Sequence, residues 1–251
     1  MHRIAVGALA ILICLGGNAH AQLSQYNLPI ESGTLETHVD LQFQYSKFSF
    51  GSFDENVGLF SLEGQLALGR FEIALDVPFM THGWDTSPNT WAFGDIMAGL
   101  KVRLFGLADK FGVSVFSNIW LPTHSGDAPR ANVKLHVGAV ASLHLLGFYF
   151  GAGLQTYWTF LGDNREDSGL IGFYGYARFP ILGLLALQAA LEYFNSAYPN
   201  GELNAFLITP SVEVSVAWFH AGVGARIAVT DEAQAITLGR VGVLANAGLR
   251  W

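Results

Sequence analysis

One polar stretch of the sequence carries the residue types of a serine hydrolase within four positions. The segment THSGDAP holds His124, Ser125 and Asp127, and a Ser–His–Asp set can activate the serine hydroxyl as a nucleophile. Catalysis requires the three side chains to converge, and residues this close together in one loop rarely meet as nucleophile and base. The segment therefore indicates an ordinary hydrated loop. We predict that the protein is not an enzyme, with a hydrolase as the alternative.

Four histidines could ligate a metal ion. His38, His136 and His144 share the polar face of the alternating segments described below. His220 lies on the same face if the residues of its turn belong to the strand that follows. A metal site needs three or four converging ligands, and no spacing along the chain indicates one. The segments GAGLQ and GVGAR lack the helix and acidic partner of a dinucleotide site. We expect hydrogen-bonded histidines, no bound metal and no cofactor.

The candidate residues lie in segments that alternate polar and apolar side chains. In one of them Ile73, Leu75 and Val77 oppose Glu72 and Asp76. A period of two is typical of a β-strand with two different faces. The pattern recurs in about twelve segments, an even number as bacterial single-chain barrels have. They cover residues 35–50, 60–68, 71–79, 96–104, 113–121, 133–145, 148–160, 171–179, 185–193, 206–218, 221–229 and the strand that ends at Trp251.

Composition indicates what surrounds the apolar faces. Hydrophobic residues make up 51% of the chain and charged residues 13%, with a mean hydropathy of +0.34, whereas soluble domains carry about 25% charged residues. After residue 21 no apolar stretch reaches the ~18 residues of a spanning helix. The closed β-barrel is the other architecture that spans a membrane. We predict an all-β, up-and-down antiparallel membrane barrel, with a soluble sandwich or lipocalin-like barrel as the alternative.

The connections between segments alternate in length. Short periplasmic turns and longer external loops are typical of outer-membrane barrels, and aromatic residues near segment ends suit the two membrane interfaces. We expect short turns at 69–70, 105–110, 146–147, 180–184 and 219–220, longer loops at 51–56, 80–91, 122–131, 162–168, 195–203 and 231–234, and interfacial rings at Phe48, Phe79, Trp91, Trp158, Phe160, Tyr193, Trp218 and Phe219.

The N-terminal residues indicate export. Arg3 precedes an apolar run, and Ala19-His20-Ala21 forms a small-x-small site before Gln22, as in a cleaved secretory signal peptide. We predict a signal peptide over 1–21, a short periplasmic segment over 22–33, and a transmembrane barrel over 34–251 in the outer membrane of a Gram-negative bacterium. Cys14 is the only cysteine and would leave with the signal, which excludes disulfides and cysteine catalysis.

Charge excludes one class of partner. Without Arg3 the chain has 12 Lys and Arg residues against 20 Asp and Glu residues, and a negative net charge argues against binding nucleic acid.

The inward face of the predicted barrel is where we expect function. Its acids and bases nearly balance, so ion pairs would neutralise the lumen, and aromatic rings accompany them. Such side chains either fill the lumen or line a narrow pathway for small, partly apolar solutes. The predicted lumen-lining residues are Asp40, Glu63, Glu72, Asp76, Asp95, Lys101, Arg103, Trp120, Lys134, His136, Tyr157, Arg178, Glu192, Glu213 and Arg226.

We predict a porin-like channel for passive passage of small molecules, aromatic or hydrophobic ones among them. The alternatives are an outer-membrane lipid-modifying hydrolase and a structural barrel with a closed lumen.

One cross-strand contact can be predicted from the hairpin over 71–104. If Phe79 lies near Gly94, then Glu72 faces Lys101, with Asp76 a diagonal neighbour and Arg103 one inward step away. Opposite charges directly across two strands stabilise a sheet. We therefore expect a carboxylate and cation cluster on the lumen wall.

The central stretch FGDIMAGLKVRLF…FGVSVFSNIWLPTHSGD resembles outer-membrane proteins of the meta-pathway of phenol degradation family. His124 stands where that family usually has glycine. The resemblance implies an outer-membrane channel or transport barrel near aromatic catabolism genes, and it implies no particular substrate. The matching residues are Gly94, Asp95, Lys101, Arg103, Leu121, Pro122 and Thr123.

The alternation continues to the last residue, Trp251. A terminal aromatic residue on a final strand resembles the signal that the barrel-assembly machinery recognises in outer-membrane barrels. The expected partners are therefore outer-membrane lipid, the barrel-assembly machinery and a small-molecule solute.

Overall fold

The computed structural model describes most of the chain from residue 35 onwards. The described residues are 9–10, 28–29, 35, 37–50, 53–83, 90–107, 110–123, 131–146, 148–161, 168–182, 184–196, 203–237 and 240–250. Leu9–Ala10 pairs with Leu28–Pro29 in a separate two-residue ladder.

The strands of the barrel follow one another along the chain. They are β1 (His38–Phe50), β2 (Phe53–Leu68), β3 (Phe71–Gly83), β4a (Thr90–Phe93), β4b (Ile96–Leu107), β5 (Phe111–Leu121), β6 (Ala131–Leu145), β7 (Phe148–Leu161), β8 (Ser168–Leu182), β9 (Leu185–Ser196), β10 (Asn204–Val216), β11 (Phe219–Ala228) and β12 (Val241–Arg250).

These strands form one closed antiparallel barrel. Sequential strands pair with each other, β4a and β4b are two parts of the same barrel strand beside β3, and β12 pairs with β1 to close the ring. The described part of the chain thus has twelve barrel strands, and the prediction of an up-and-down barrel is confirmed. Within that part, no helix is long and apolar enough to cross a membrane.

The two faces of each strand differ as the alternation predicts. Leu75 and Ile73 on β3 are each 51% exposed, whereas Glu72 and Asp76 on the same strand are 2% and 1% exposed. A slip of one residue in register would exchange these faces. The apolar side chains therefore cover the outside of the barrel, and the charged ones are buried inside it.

Several predicted boundaries are wrong at the ends of the strands. The expected long loop over 51–56 is mostly strand, since β1 ends at Phe50 and β2 begins at Phe53. The expected turn at Phe219-His220 lies instead at Ala217-Trp218, where Ala217 has a φ of 52°. Leu35 precedes β1, although the predicted segment begins there. Alternation restricts the register along a strand, but it does not fix the residue at which the strand ends.

The connection between β11 and β12 contains a short helix that the sequence analysis missed. Helix α1 spans Asp231–Thr237, where a polar loop was expected. Its Ala233 is fully buried, in one cluster with Leu207, Ala228 and Leu244. The helix therefore packs against the inner face of the barrel wall at the end opposite the short turns.

Among the irregularities of the ladder, two lie beside interior residues of interest. Gly94 and Asp95 separate β4a from β4b, and the Asp95 side chain is buried. Between β10 and β11 the paired residues pass from Ile208 to Ser211, so Thr209 and Pro210 have no partner on β11. Proline lacks the N–H that a ladder needs, which accounts for the second interruption.

Candidate functional site

The interior of the barrel holds the residues that the sequence analysis singled out. Of the fifteen predicted lumen-lining residues, Arg103 has a half-buried side chain. The other fourteen residues are at most 5% exposed. Those fourteen are Asp40, Glu63, Glu72, Asp76, Asp95, Lys101, Trp120, Lys134, His136, Tyr157, Arg178, Glu192, Glu213 and Arg226.

Buried cations lie against buried carboxylates on neighbouring strands. Glu72 on β3 is directly opposite Lys101 on β4b, and the Lys101 Nζ lies 2.6 Å from the Glu72 Oε1. The predicted contact is therefore confirmed. Lys134 on β6 reaches across β5 to Asp95, with a distance of 2.6 Å from Nζ to Oδ2. In the low-polarity interior such pairs offset the cost of burying each charge.

Two further ion pairs lie on the other side of the barrel. The Arg178 guanidinium on β8 donates to Glu213 on β10 at 3.1 Å, and Gln188 and Ser215 each donate to the same carboxylate at 2.6 Å. The Arg226 Nη2 lies 3.0 Å from the Glu192 Oε2. The interior is therefore largely neutralised by its own ion pairs.

An aromatic cluster surrounds His136 on β6. Its ring stacks on Tyr157, with centroids 3.9 Å apart and an interplanar angle of 11°, and it meets the edge of Phe116 at 4.8 Å. Its Nε2 lies 3.2 Å from the Gln155 Oε1 and its Nδ1 lies 3.3 Å from the Asn118 Nδ2. Both ring nitrogens of His136 are thus within hydrogen-bond distance of an amide side chain, as predicted for an interior histidine.

A second group of rings lies further along the same wall. Tyr149 and Tyr176 stack with centroids 5.7 Å apart. A Cβ atom at Gly151 would overlap the Tyr176 ring, and one at Gly153 would overlap the ring of Tyr174. The two glycines therefore allow the tyrosine rings to lie flat across β7.

The interior also contains one continuous apolar cluster. The cluster extends around the barrel interior from β3 and β4b to β11 and β12, and it continues onto α1. Its aromatic members meet directly, since Tyr157 and Phe194 have ring centroids 5.9 Å apart. Its buried residues are Ala74, Met97, Trp120, Tyr157, Leu170, Phe194, Ala205, Leu207, Ala228, Ala233 and Leu244.

Small side chains form the wall along β10 to β12. Ser211, Gly222, Gly224 and Asn246 border a cavity of about 20 Å³ beside the interrupted ladder at Pro210. A volume of this size holds about one water molecule and no organic solute.

One group of acids and histidines crosses four strands. His220 on β11, Gly248 on β12, Asp40 on β1 and Glu63 on β2 are directly opposite one another in turn. A nitrogen of His38 and carboxylate oxygens of Asp40 and Glu63 all lie within 4.8 Å of one another. No metal site was predicted here, because the spacing of these residues along the chain does not indicate one. These residues come together only through the register of several strands.

Two predicted features lie outside the described residues. They are the His124, Ser125 and Asp127 set and the terminal Trp251. The expected interfacial side chains of Phe48 and Trp91 also lie outside the described side chains. Trp218 and Phe219, at the short-turn end, are 61% and 42% exposed.

Closed antiparallel barrels with an apolar exterior are typical of bacterial outer-membrane proteins, and comparisons with solved structures show the same fold. The COG4313 outer membrane channel from Pseudomonas putida F1 has 11% sequence identity and a TM-score of 0.62, covering 87% of this chain and 96% of that one. The NanC porin has 10% identity and a TM-score of 0.54, covering 86% and 98%.

The translocator domain of the autotransporter NalP from Neisseria meningitidis has 9% identity and a TM-score of 0.51, covering 87% and 88%. No family model matches the chain, and no curated protein matches it. At these identities the likeness shows the fold alone.

Proposed function

We propose that the protein is an outer-membrane channel for the passive passage of small molecules, aromatic or hydrophobic ones among them. The observation that carries this proposal is the continuous apolar and aromatic cluster inside a barrel whose outside is also apolar. Apolar and aromatic side chains with a few polar groups are what binding pathways for such solutes require. The channel and porin that share this fold, and the resemblance to the phenol-degradation family, support the same proposal.

Inward side chains fill much of the barrel interior in the part of the chain that the structure describes. Tyr157 and Ala233 have no exposed surface, and the cavity beside Gly224 holds about one water molecule. We infer that movement of side chains or of α1 widens the path for a solute. Helix α1 is a short element that can move, because it has seven residues and its Ala233 packs into the apolar cluster.

Solute uptake by liposomes that hold the purified barrel tests this proposal. Ala233→Glu should displace α1, because a carboxylate would enter an apolar cluster, and uptake of a small aromatic probe should rise several-fold over the original protein. Glu232→Gln is the matched control, since Glu232 is exposed on the same helix, and it should leave uptake unchanged. A probe that enters no faster than in empty liposomes, with either protein, would contradict the channel.

A structural barrel with a closed lumen is the second candidate function. It is favoured by the burial of the interior ion pairs around Glu72, Lys134 and Glu213. Absence of conductance in planar bilayers for both Ala233→Glu and the original protein would support it. We propose no enzymatic role, and labelling of Ser125 by a serine-hydrolase probe would overturn that part of the proposal.

A further inference from the structure

We propose that the barrel wall binds one divalent transition-metal ion, such as Zn²⁺, between β1 and β2. The ligands are His38, Asp40 and Glu63, and His220 positions Asp40 from the opposite side. The site is distinct from the apolar cluster on which the channel proposal rests.

The geometry of three side chains supports the site. One nitrogen of His38 and one oxygen each of Asp40 and Glu63 lie within 4.8 Å of one another, and the His38 Nε2 is 3.9 Å from the Glu63 Oε2. Ligands bound to one Zn²⁺ at about 2.0–2.2 Å are about 3–4 Å apart. Small rotations of these side chains would therefore bring all three atoms onto one ion. Three protein ligands leave a fourth position for water or a solute.

The Asp40 carboxylate is an independent indication of a ligand. Asp40 is 1% exposed, and its Oδ1 lies 2.9 Å from the His220 Nε2. Neither atom has a hydrogen bond of standard geometry. Buried carboxylate oxygens normally have hydrogen-bond partners, and here the Oδ1 atom is oriented toward His220, which holds the Asp40 carboxylate beside the other two ligands.

The charge of the cluster also favours a cation. Asp40, Glu63 and Asp76 are directly opposite one another on three successive strands, and each is at most 2% exposed. Like charges in that arrangement destabilise a sheet. Gln42 and Gln65 donate to Glu63 at 2.5 Å and 2.8 Å, but amides bring no charge.

His38, His220 and Arg250 are among the charged or titratable groups that lie near the cluster. Arg250 is directly opposite His38, and its guanidinium lies 3.9 Å from the Glu213 carboxylate. A bound divalent cation would balance the negative charges of Asp40 and Glu63.

Gly248 makes room for this arrangement. A Cβ atom at this position would overlap the Asp40 carboxylate and the Val39 carbonyl oxygen. The absence of a side chain on β12 lets the Asp40 carboxylate lie across that strand toward His220. Metal-binding carboxylates are oriented by partners outside the ligand set, and His220, 2.9 Å from the Asp40 Oδ1, has that position here.

Zinc titration of the purified, refolded full chain tests the proposal. After removal of metals with EDTA, competition with a chromophoric chelator should show one Zn²⁺ per barrel, bound with a Kd below about 10 µM. Asp40→Asn and Gly248→Ala should each weaken binding at least 10-fold, as loss or displacement of a ligand does. His144→Gln is the matched control, because it removes another interior histidine and should leave the affinity unchanged.

Two outcomes would overturn the site. One is a Kd weaker than about 100 µM for the original protein, and the other is an unchanged affinity in a folded Asp40→Asn barrel. Heat-modifiable migration in gels reports folding of each variant. If Asp40→Asn does not fold, His38→Gln replaces it under the same criteria, since it removes a neutral ligand and leaves both carboxylates in place.

Discussion

Breaking the buried pair of Glu72 and Lys101 gives the sharpest test of the interior. Their side chains are 2% and 5% exposed, and their charged atoms are 2.6 Å apart. Glu72→Gln keeps the shape of the side chain but leaves the Lys101 ammonium buried without the carboxylate next to it. Removing one partner of a buried ion pair costs about 3–5 kcal/mol. The free energy of unfolding of Glu72→Gln should fall by that amount in urea titrations of the barrel in phospholipid vesicles.

A second substitution shows whether the loss comes from the pair. Replacing both groups by uncharged side chains, as in Glu72→Gln with Lys101→Met, should return stability to within about 1 kcal/mol of the original protein. The coupling energy of the double-mutant cycle should then exceed about 2 kcal/mol. Unchanged slopes of free energy against urea would show that the unfolded states are comparable.

An exposed ion pair in the same chain is the matched control. Arg240 and Asp231 are 3.9 Å apart with side chains 76% and 89% exposed, so Arg240→Gln should cost less than about 1 kcal/mol. The reasoning would be refuted if Glu72→Gln cost no more than this control. It would also be refuted if the two substitutions at the buried pair had additive effects.

Three further predictions concern the faces, the lumen and assembly. Leu75→Arg on the outside should cost about 2–4 kcal/mol near the bilayer midplane, while Asn246→Arg beside the interior cavity should cost less; equal costs in urea unfolding would contradict the assignment of faces. Neutralising Glu72 and Asp76 together should shift single-channel ion preference toward anions, and an unchanged reversal potential would count against their role in the lumen. Deleting Trp251 should slow insertion and lower outer-membrane yield, and normal folding kinetics in vesicles would exclude it as an assembly signal.

The strand pattern and one interior contact could be predicted from the sequence. The period of two is a local property of each strand, so Leu75 and Glu72 already indicated opposite faces before any strand pairing was known. Low charge and the absence of long apolar stretches then favoured a membrane barrel. The Glu72–Lys101 contact was predictable because both residues belong to one hairpin, in which the alternation of both strands restricts the register.

Only the tertiary structure decided how the interior is arranged. His220, Asp40 and Glu63 belong to strands from both ends of the chain, and they meet because β12 closes the barrel against β1. No periodicity along the chain encodes that register. Helix α1 was missed because its seven residues are too few for a helical pattern to stand out, and its position depends on burial of Ala233 against the barrel.

The sequence also could not predict how much free space the lumen has. Alternation identifies which side chains point inward, but the free space depends on how the inward side chains of all twelve strands fill one enclosed volume. Stacking of His136 on Tyr157 and the pairing of Arg226 with Glu192 occupy that volume in the described state. The sequence by itself therefore determined the barrel and its two faces, because these follow from local alternation and composition. The packing of the described interior and its group of acids and histidines were decided by strand register, which exists only once the ring is formed.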